Sequence, residues 1–173
     1  DTYNMKNLHP ALKDAYERLY HKTPLGFYNC GRICDGLCCR GDSKGMWLYP
    51  HEEEFFDGKE GFEVCETEGN YGYPMLICSG ECNREERPLA CRIFPLFPIV
   101  YEDNGKNKIK IIYDPRAGMC PLARENRLLD PKFVKEVRMA ARSLMRDPEI
   151  LEYMKAVSEE LTDILELKHL LGE

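Results

Sequence analysis

Cysteine is the residue that most constrains this chain, because seven of its nine cysteines fall into two dense runs. The members of these runs are Cys30, Cys34, Cys38 and Cys39, followed by Cys78, Cys82 and Cys91. Thiolates at short spacing in loops rich in glycine and arginine suit a tetrahedral zinc ion or an iron–sulfur cluster, because each ligand must turn inward toward a small sphere. The pattern therefore predicts a metal-binding core.

A disulfide framework is the alternative that any cysteine-rich chain raises. The count of nine is odd, the cysteines are grouped rather than evenly spread, and 173 residues can bury a hydrophobic core without covalent cross-links. Metal binding is therefore the preferred interpretation, and a disulfide-bearing interaction module is the alternative that stays open.

The remaining cysteines extend the set of candidate ligands. Adjacent Cys38 and Cys39 are expected to point in different directions, so that one of them belongs to a second site or only supports the first. Cys120 precedes a proline, as the last ligand does in ferredoxin ligand runs, and it brings the candidates to eight. Eight ligands suffice for two four-sulfur sites or for one site with supporting thiols, and the spacing does not choose between them. Cys65 stands apart and is interpreted as an ordinary core thiol.

Hydrophobic periodicity predicts helices at both ends of the chain. Leu12, Ala15, Tyr16 and Leu19 share one face of a helix over residues 10–20. Beyond residue 130, apolar residues recur at three- and four-residue spacing, which predicts two further helices. We expect these apolar stripes to pack in the core.

Short strands are predicted between the helices. One covers residues 62–65, and another covers residues 73–78 and delivers Cys78 to a turn. Asn104 and Gly105 between β-forming residues predict a hairpin. The predicted fold class is α+β, with a small antiparallel sheet and cysteine-rich metal-binding loops flanked by N-terminal and C-terminal helices.

Length and composition predict a single domain over residues 1–173, since 43% of the residues are apolar. The metal-binding core is assigned to about residues 28–121, and a C-terminal helical part to about residues 130–171. The formal net charge of −6 disfavours nucleic acid as a partner, and no apolar run is long enough to span a bilayer. No secretory signal precedes residue 30, so a cytoplasmic location is expected, where thiols stay reduced. We expect a monomer or a weak homodimer through the last helix, with room for an unknown protein partner.

The arginines beside the cysteines have a predicted role of their own. Four thiolates around a divalent zinc ion leave a net charge of about −2, which is costly away from water unless cations lie close. The arginines that flank the cysteines are Arg32, Arg40, Arg84, Arg87 and Arg92. We expect Arg87 and Arg92 in particular to compensate this charge.

Two segments near the cysteines receive local predictions. Residues 49–56 are predicted to contain a short helix, with His51 and the glutamates at its start facing solvent. Residues 88–98 are predicted to be extended, with Phe94 and Phe97 buried, because Pro88, Pro95 and Pro98 disfavour a helix.

The string Arg-Pro-Leu-Ala-Cys-Arg-Ile-Phe-Pro at residues 87–95, together with the two cysteine runs, resembles the YkgJ-type (CxxCxxCC) cysteine-cluster family of zinc- or iron-chelating proteins. The resemblance covers about residues 30–98 and implies metal binding through the cysteines of both runs. Some relatives are described as flagellin lysine methylases or iron–sulfur oxidoreductases. This chain departs from the family pattern, because the gaps from Cys30 to Cys34 and from Cys34 to Cys38 are each one residue longer.

These observations predict a protein that holds zinc or an iron–sulfur cluster, with a [4Fe–4S] cluster among the options. The predicted ligands are Cys30, Cys34, Cys38, Cys39, Cys78, Cys82, Cys91 and Cys120. The centre is expected to be structural or to serve metal handling, with zinc slightly preferred. An iron–sulfur redox or methylase-like protein-modifying enzyme is the alternative, although the sequence contains no glycine-rich phosphate loop or nucleophile elbow.

Overall fold

The computed structural model describes residues 5–39, 45–80 and 82–173. The helices are α1 (Pro10–Leu19), α2 (Gly31–Cys34), α3 (Glu53–Phe56), α4 (Leu89–Ile93), α5 (Pro121–Arg124), α6 (Pro131–Leu144) and α7 (Pro148–Leu170). The strands are β1 (Met46–Trp47), β2 (Phe62–Cys65), β3 (Met75–Cys78), β4 (Leu96–Asp103) and β5 (Lys106–Tyr113). Helices thus flank two small antiparallel sheets, which confirms the predicted α+β class.

Helices α1 and α6 form the first half of the core. The apolar face predicted for α1 is buried, and it packs against the face of α6 that carries Phe133, Val137 and Ala140. Both helices begin with a proline, whose missing N–H needs no partner at that position. Burying each large apolar side chain contributes about 1.5–3 kcal/mol, so this helix pair is a main source of stability.

Strands β4 and β5 form the predicted hairpin and the second half of the core. Asn104 and Gly105 both have positive φ angles of 51° and 72°, as a two-residue hairpin turn of this hand requires. The inner residues of β4 pack on α7, and the backbone N–H of Val100 donates to Ser158 Oγ at 2.8 Å. Within the described residues, no helix combines the length and the apolar character needed to cross a membrane.

The other sheet has the strand order β1-β3-β2, and its central strand, β3, ends at Cys78. Both predicted strands of this region are confirmed, and β3 pairs antiparallel with β2 so that Cys78 lies opposite Phe62. Asn70 links the segments that flank the sheet, because its side-chain amide donates to the carbonyls of Leu48 and Pro74 at 2.9 and 3.1 Å. The sheet therefore holds Cys78 on a fixed backbone.

The prediction of an extended segment over residues 88–98 is wrong for Leu89–Ile93, which forms helix α4, whereas residues 96–98 lie in strand β4 and are extended as predicted. Pro88 occupies the N-cap, where its missing N–H leaves no hydrogen bond unmade, and its carbonyl accepts from the amides of Cys91 and Arg92 at 3.0 and 3.1 Å. The prolines therefore bracket a helical turn instead of preventing it. The predicted burial of Phe97 is confirmed, whereas Phe94 is half-buried.

The prediction that the glutamates of residues 52–54 face solvent is wrong for Glu52, whose exposed fraction is 0%. Its carboxylate accepts from the hydroxyl of Tyr16 and from the backbone N–H groups of Tyr49 and Leu89, the last two at 2.7 Å. Burial raises the pKa of Glu52, although these hydrogen bonds and the charge of Arg92 oppose the shift. One carboxylate thus joins α1, the turn before α3 and the first residue of α4.

We expect Glu52→Gln to lower the free energy of unfolding by about 1–3 kcal/mol. One side-chain oxygen accepts from Tyr16 and Leu89 and the other accepts from Tyr49, so an amide in place of the carboxylate sets its NH2 group against a backbone donor. Urea denaturation of the two proteins measures the difference. Glu54→Gln, at an exposed position two residues away, is the control, and equal losses in the two variants would contradict the assignment.

Candidate metal centre

The first cysteine run folds as two short turns joined by a sharp reversal. Helix α2 places Cys34 one turn after Cys30, and the next turn, Leu37–Cys39, is a 3-10 helix. Asp35 and Gly36 between them have φ angles of 52° and 63°, a left-handed pair that turns the chain back on itself. This confirms the expected loop with a helical turn, and it explains how closely spaced cysteines reach different sides.

Cysteines from the rest of the chain converge on the same region. Cys78 arrives from the end of β3, Cys91 from the middle of α4, and Cys120 from the N-cap of α5. Cys82 follows the turn after β3. Each comes from a different element, so their meeting depends on the tertiary fold and not on local spacing.

Two adjoining cavities together reach all eight candidate thiols, and the larger of this pair measures about 160 Å³. The cysteines that line it are Cys38, Cys39, Cys78, Cys82 and Cys91. Arg87 lies in the same wall, while Phe94 and Met119 supply apolar surface. Every cysteine of the later run therefore faces one cavity together with the pair that ends the first run.

The smaller cavity, of about 20 Å³, lies beside the larger one and shares Leu37, Cys38 and Phe94 with it. Its cysteines are Cys30, Cys34, Cys38 and Cys120. The eight predicted ligands therefore all line one or both cavities, whereas Cys65 lines neither of them. Cys65 is half-buried on β2, away from the rest.

The spacing of the thiols is open rather than tight. Sγ of Cys38 lies 3.8 Å from Sγ of Cys39. Within residues 5–39, 45–80 and 82–173, no three cysteine sulfurs lie within 4.8 Å of one another. The group that meets this distance is His9, His51 and Asp147, which sequence analysis did not bring together. The sequence signal that could have found it is a pair of histidines and an acidic residue, each beside a proline that starts or precedes a helix.

The neighbouring thiols of Cys38 and Cys39 differ in acidity. The hydrogen bond that Cys39 shares with Cys38 lowers the pKa of Cys39 to about 6, against the effect of burial and with the charge of Arg87 acting in the same direction. The same hydrogen bond, with burial, raises the pKa of Cys38. Cys39 is therefore the thiol of this pair that holds a negative charge near neutral pH.

Burial is the main influence on the pKa values of three further thiols of the cluster. It raises the pKa values of Cys30, Cys82 and Cys91, and in each case the charge of Arg87 opposes the increase. Burial also disfavours the charged form of Arg87, but nearby cysteine thiolates reverse this effect and raise its pKa. Arg87 is thus the main cation of the cluster.

The other flanking arginines contribute less. Arg32 is exposed, and Arg84 acts on Cys30 alone among the shifted thiols. The guanidinium of Arg92 stacks 4.3 Å from the centre of the Tyr16 ring and donates to the carbonyls of Glu85 and Arg87, each at 2.7 Å. Arg40 lies outside the described residues.

We expect Arg87→Gln to move the titration of the cluster thiols to higher pH in reduced, metal-free protein, because the cation that favours their thiolates is lost. Ultraviolet thiolate absorbance as a function of pH measures the shift. The matched control is Arg32→Gln, at an exposed position. Identical titration curves for the two variants would show that Arg87 does not act on the thiols.

Comparisons with known proteins add no relative to this picture. No family model, no curated protein and no solved structure matches the chain. The function of the cluster is therefore inferred from the arrangement of its own side chains.

Proposed function

We propose that this chain is a metal-binding protein whose clustered cysteines hold an iron–sulfur cluster, with the centre serving a structural or metal-handling role. The observation that carries the proposal is the convergence of eight thiols, from four separate parts of the chain, on two adjoining cavities. Thiolates are the ligands of iron–sulfur clusters and of structural zinc, and a cation, Arg87, stands among them to offset their charge.

The cavities divide the eight cysteines into two sets of four. Cys39, Cys78, Cys82 and Cys91 form the set of the larger cavity, and Cys30, Cys34, Cys38 and Cys120 form the set of the smaller one. Cys38 lines both cavities, and its assignment follows from the need for a fourth ligand beside Cys30, Cys34 and Cys120. A set of four thiolates is what a [4Fe–4S] cluster takes, and the 160 Å³ of the larger cavity, unlike the 20 Å³ of the smaller one, leaves room for such a cluster.

The spacing of the sulfurs favours a cluster over a single ion. With Zn–S bonds of about 2.3 Å, the sulfurs of a tetrahedral zinc site lie about 3.8 Å apart. The described cysteines include no three sulfurs within even 4.8 Å, and a 160 Å³ cavity lies between those of the larger set. A polynuclear core fills such a space, whereas one zinc ion would require the loops to close.

Zinc is the second candidate, and one observation favours it. The 3.8 Å between the sulfurs of Cys38 and Cys39 equals the edge of a zinc–thiolate tetrahedron. A zinc site that uses both cysteines of this pair would draw its other ligands from the larger cavity, which both of them line.

An enzymatic role, as a redox or protein-modifying enzyme, is supported by a third cavity of about 290 Å³. It shares Met46, Phe94 and Met119 with the larger cysteine cavity, so a molecule bound there would lie next to the thiols. The hydroxyl of Tyr49, on its wall, is buried without a hydrogen-bond partner among the described residues. Such a group is available to a ligand.

Anaerobic purification followed by iron, sulfide and zinc analysis and a visible spectrum tests the proposal. A brown protein that contains iron and sulfide in equal amounts is the expected result. A colourless protein with stoichiometric zinc would replace the iron–sulfur assignment with the zinc one. A protein without metal, or with its cysteines paired as cystines, would overturn both.

We expect Cys91→Ser to lower the bound metal by at least about half and to lower the melting temperature, because a metal held by a tertiary arrangement of ligands contributes its binding energy to folding. Metal analysis and thermal unfolding of the anaerobic protein measure the two effects. Cys65→Ser is the matched control, since Cys65 lines neither cysteine cavity. Unchanged metal content in Cys91→Ser would remove Cys91 from the ligands.

A further inference from the structure

We propose that the chain carries a separate, cysteine-free site for a divalent transition-metal ion such as Zn²⁺, built from His9, His51 and Asp147 with Glu149 beside them. The three members of the core group each offer a donor atom, and these atoms all lie within 4.8 Å of one another. Two imidazoles and a carboxylate are a donor set that suits Zn²⁺ and its neighbours in the first transition row.

The distances around His51 match coordination better than hydrogen bonding. Its Nε2 atom lies 3.5 Å from Asp147 Oδ1 and 3.3 Å from Glu149 Oε2. Nitrogen–oxygen hydrogen bonds are shorter, at about 2.7–3.2 Å, and Nε2 is buried without a well-formed hydrogen bond. With metal–ligand bonds of about 2.0–2.2 Å, the ligands of a tetrahedral ion lie about 3.3–3.6 Å apart, the separation observed here.

The two carboxylates are held in place by other groups. Asp147 Oδ1 accepts from the backbone N–H groups of Glu149 and Ile150 at 3.0 Å, as the N-cap of α7. The hydroxyl of Tyr73 donates to Glu149 Oε1 at 2.8 Å, which leaves Oε2 facing His51. Hydrogen bonds of this kind orient the ligands of protein metal sites.

The backbone of His51 is also set for this arrangement. Its φ angle of 72° lies in the left-handed region, which residues with a side chain rarely adopt. The imidazole that this conformation presents stacks on the ring of His9, with centroids 4.1 Å apart, so one of the two rings must turn about its side-chain bonds before both offer a nitrogen to one ion. The prediction that His51 faces solvent is wrong, because only 23% of its side chain is exposed.

His9 has a second task that bears on how it would bind. Its Nδ1 atom accepts from the backbone N–H of Ala11 at the start of α1, at a distance of 3.3 Å. This bond is long and therefore weak, so exchanging it for a coordinate bond costs little stability. Two neutral imidazoles with the carboxylates of Asp147 and Glu149 would balance the charge of one divalent ion.

The ion would join parts of the chain that are far apart in sequence. His9 precedes α1, His51 lies in the turn before α3, and Asp147 caps α7. An ion bound to all of them stabilises the folded state, because the unfolded chain cannot offer the site. The site thus acts as a tertiary cross-link, and it is independent of the cysteine cavities.

Titration with Co²⁺ tests this site in full-length, reduced protein whose cysteine centre is as purified. Cobalt bound by nitrogen and oxygen shows weak visible bands, whereas cobalt bound by thiolate adds strong near-ultraviolet charge-transfer absorption. We expect one Co²⁺ per chain with the weak bands alone and a higher melting temperature. Charge-transfer absorption that grows with the added Co²⁺, or no binding, would overturn the proposal.

Two variants locate the ion. His51→Gln removes a ligand, and Asp147→Asn removes a charge while keeping a good N-cap for α7, so that the helix still forms. Each is expected to weaken Co²⁺ binding at least about tenfold, the scale of losing a metal-site group. The control is His169→Gln, at an exposed position near the end of α7. Equal affinity in folded Asp147→Asn and in wild type would overturn the assignment.

The outcome is separable from that of the cysteine proposal. In Cys91→Ser, the weak-band cobalt site is expected to persist even where the cysteine centre is lost. If a folded Cys91→Ser protein lost the weak cobalt bands together with its cysteine-bound metal, the cobalt would be shown to bind at the thiols and not at the histidines.

Discussion

The buried carboxylate of Glu52 is the interaction on which the arrangement of this protein depends. Taking a carboxylate out of water is costly, and the cost is met here by three donors, one hydroxyl and two backbone amides. Those donors belong to α1, to the turn that contains Tyr49, and to Leu89, the first residue of α4. The position of Cys91, two residues later, is therefore set by a polar contact at the centre of the core.

The same residue connects the two candidate metal sites. The turn that ends at Glu52 contains His51, so the hydrogen bond from Tyr49 also fixes the backbone that presents this imidazole. On the other side, Arg92 of α4 lies over the ring of Tyr16, the hydroxyl donor to Glu52, while Arg87 stays with the thiols. Two neighbouring arginines thus each lie near a negative group, Arg92 beside a carboxylate and Arg87 beside thiolates.

The parts of this architecture that rest on local pattern were predictable from sequence. The face of α1, the Asn104–Gly105 turn and the strand that ends at Cys78 follow from periodicity and turn chemistry, which act between near neighbours. The burial of Glu52 and the meeting of His9 with His51 were not predictable in this way. Each depends on partners more than thirty residues away, whereas the local sequence at residues 49–56 is typical of a solvent-exposed helix start.

The cysteines show the same division, since their spacing indicated eight candidates but not how they divide between two cavities. Cys38 lines both cavities and Cys39 lines the larger one, so these adjoining residues lie where the two cavities meet. Charges a few ångströms apart in a sheltered region interact strongly. If each cavity holds a centre, adding an electron or a metal ion to one would change the affinity or the potential of the other, and the pair would respond to its surroundings as one unit.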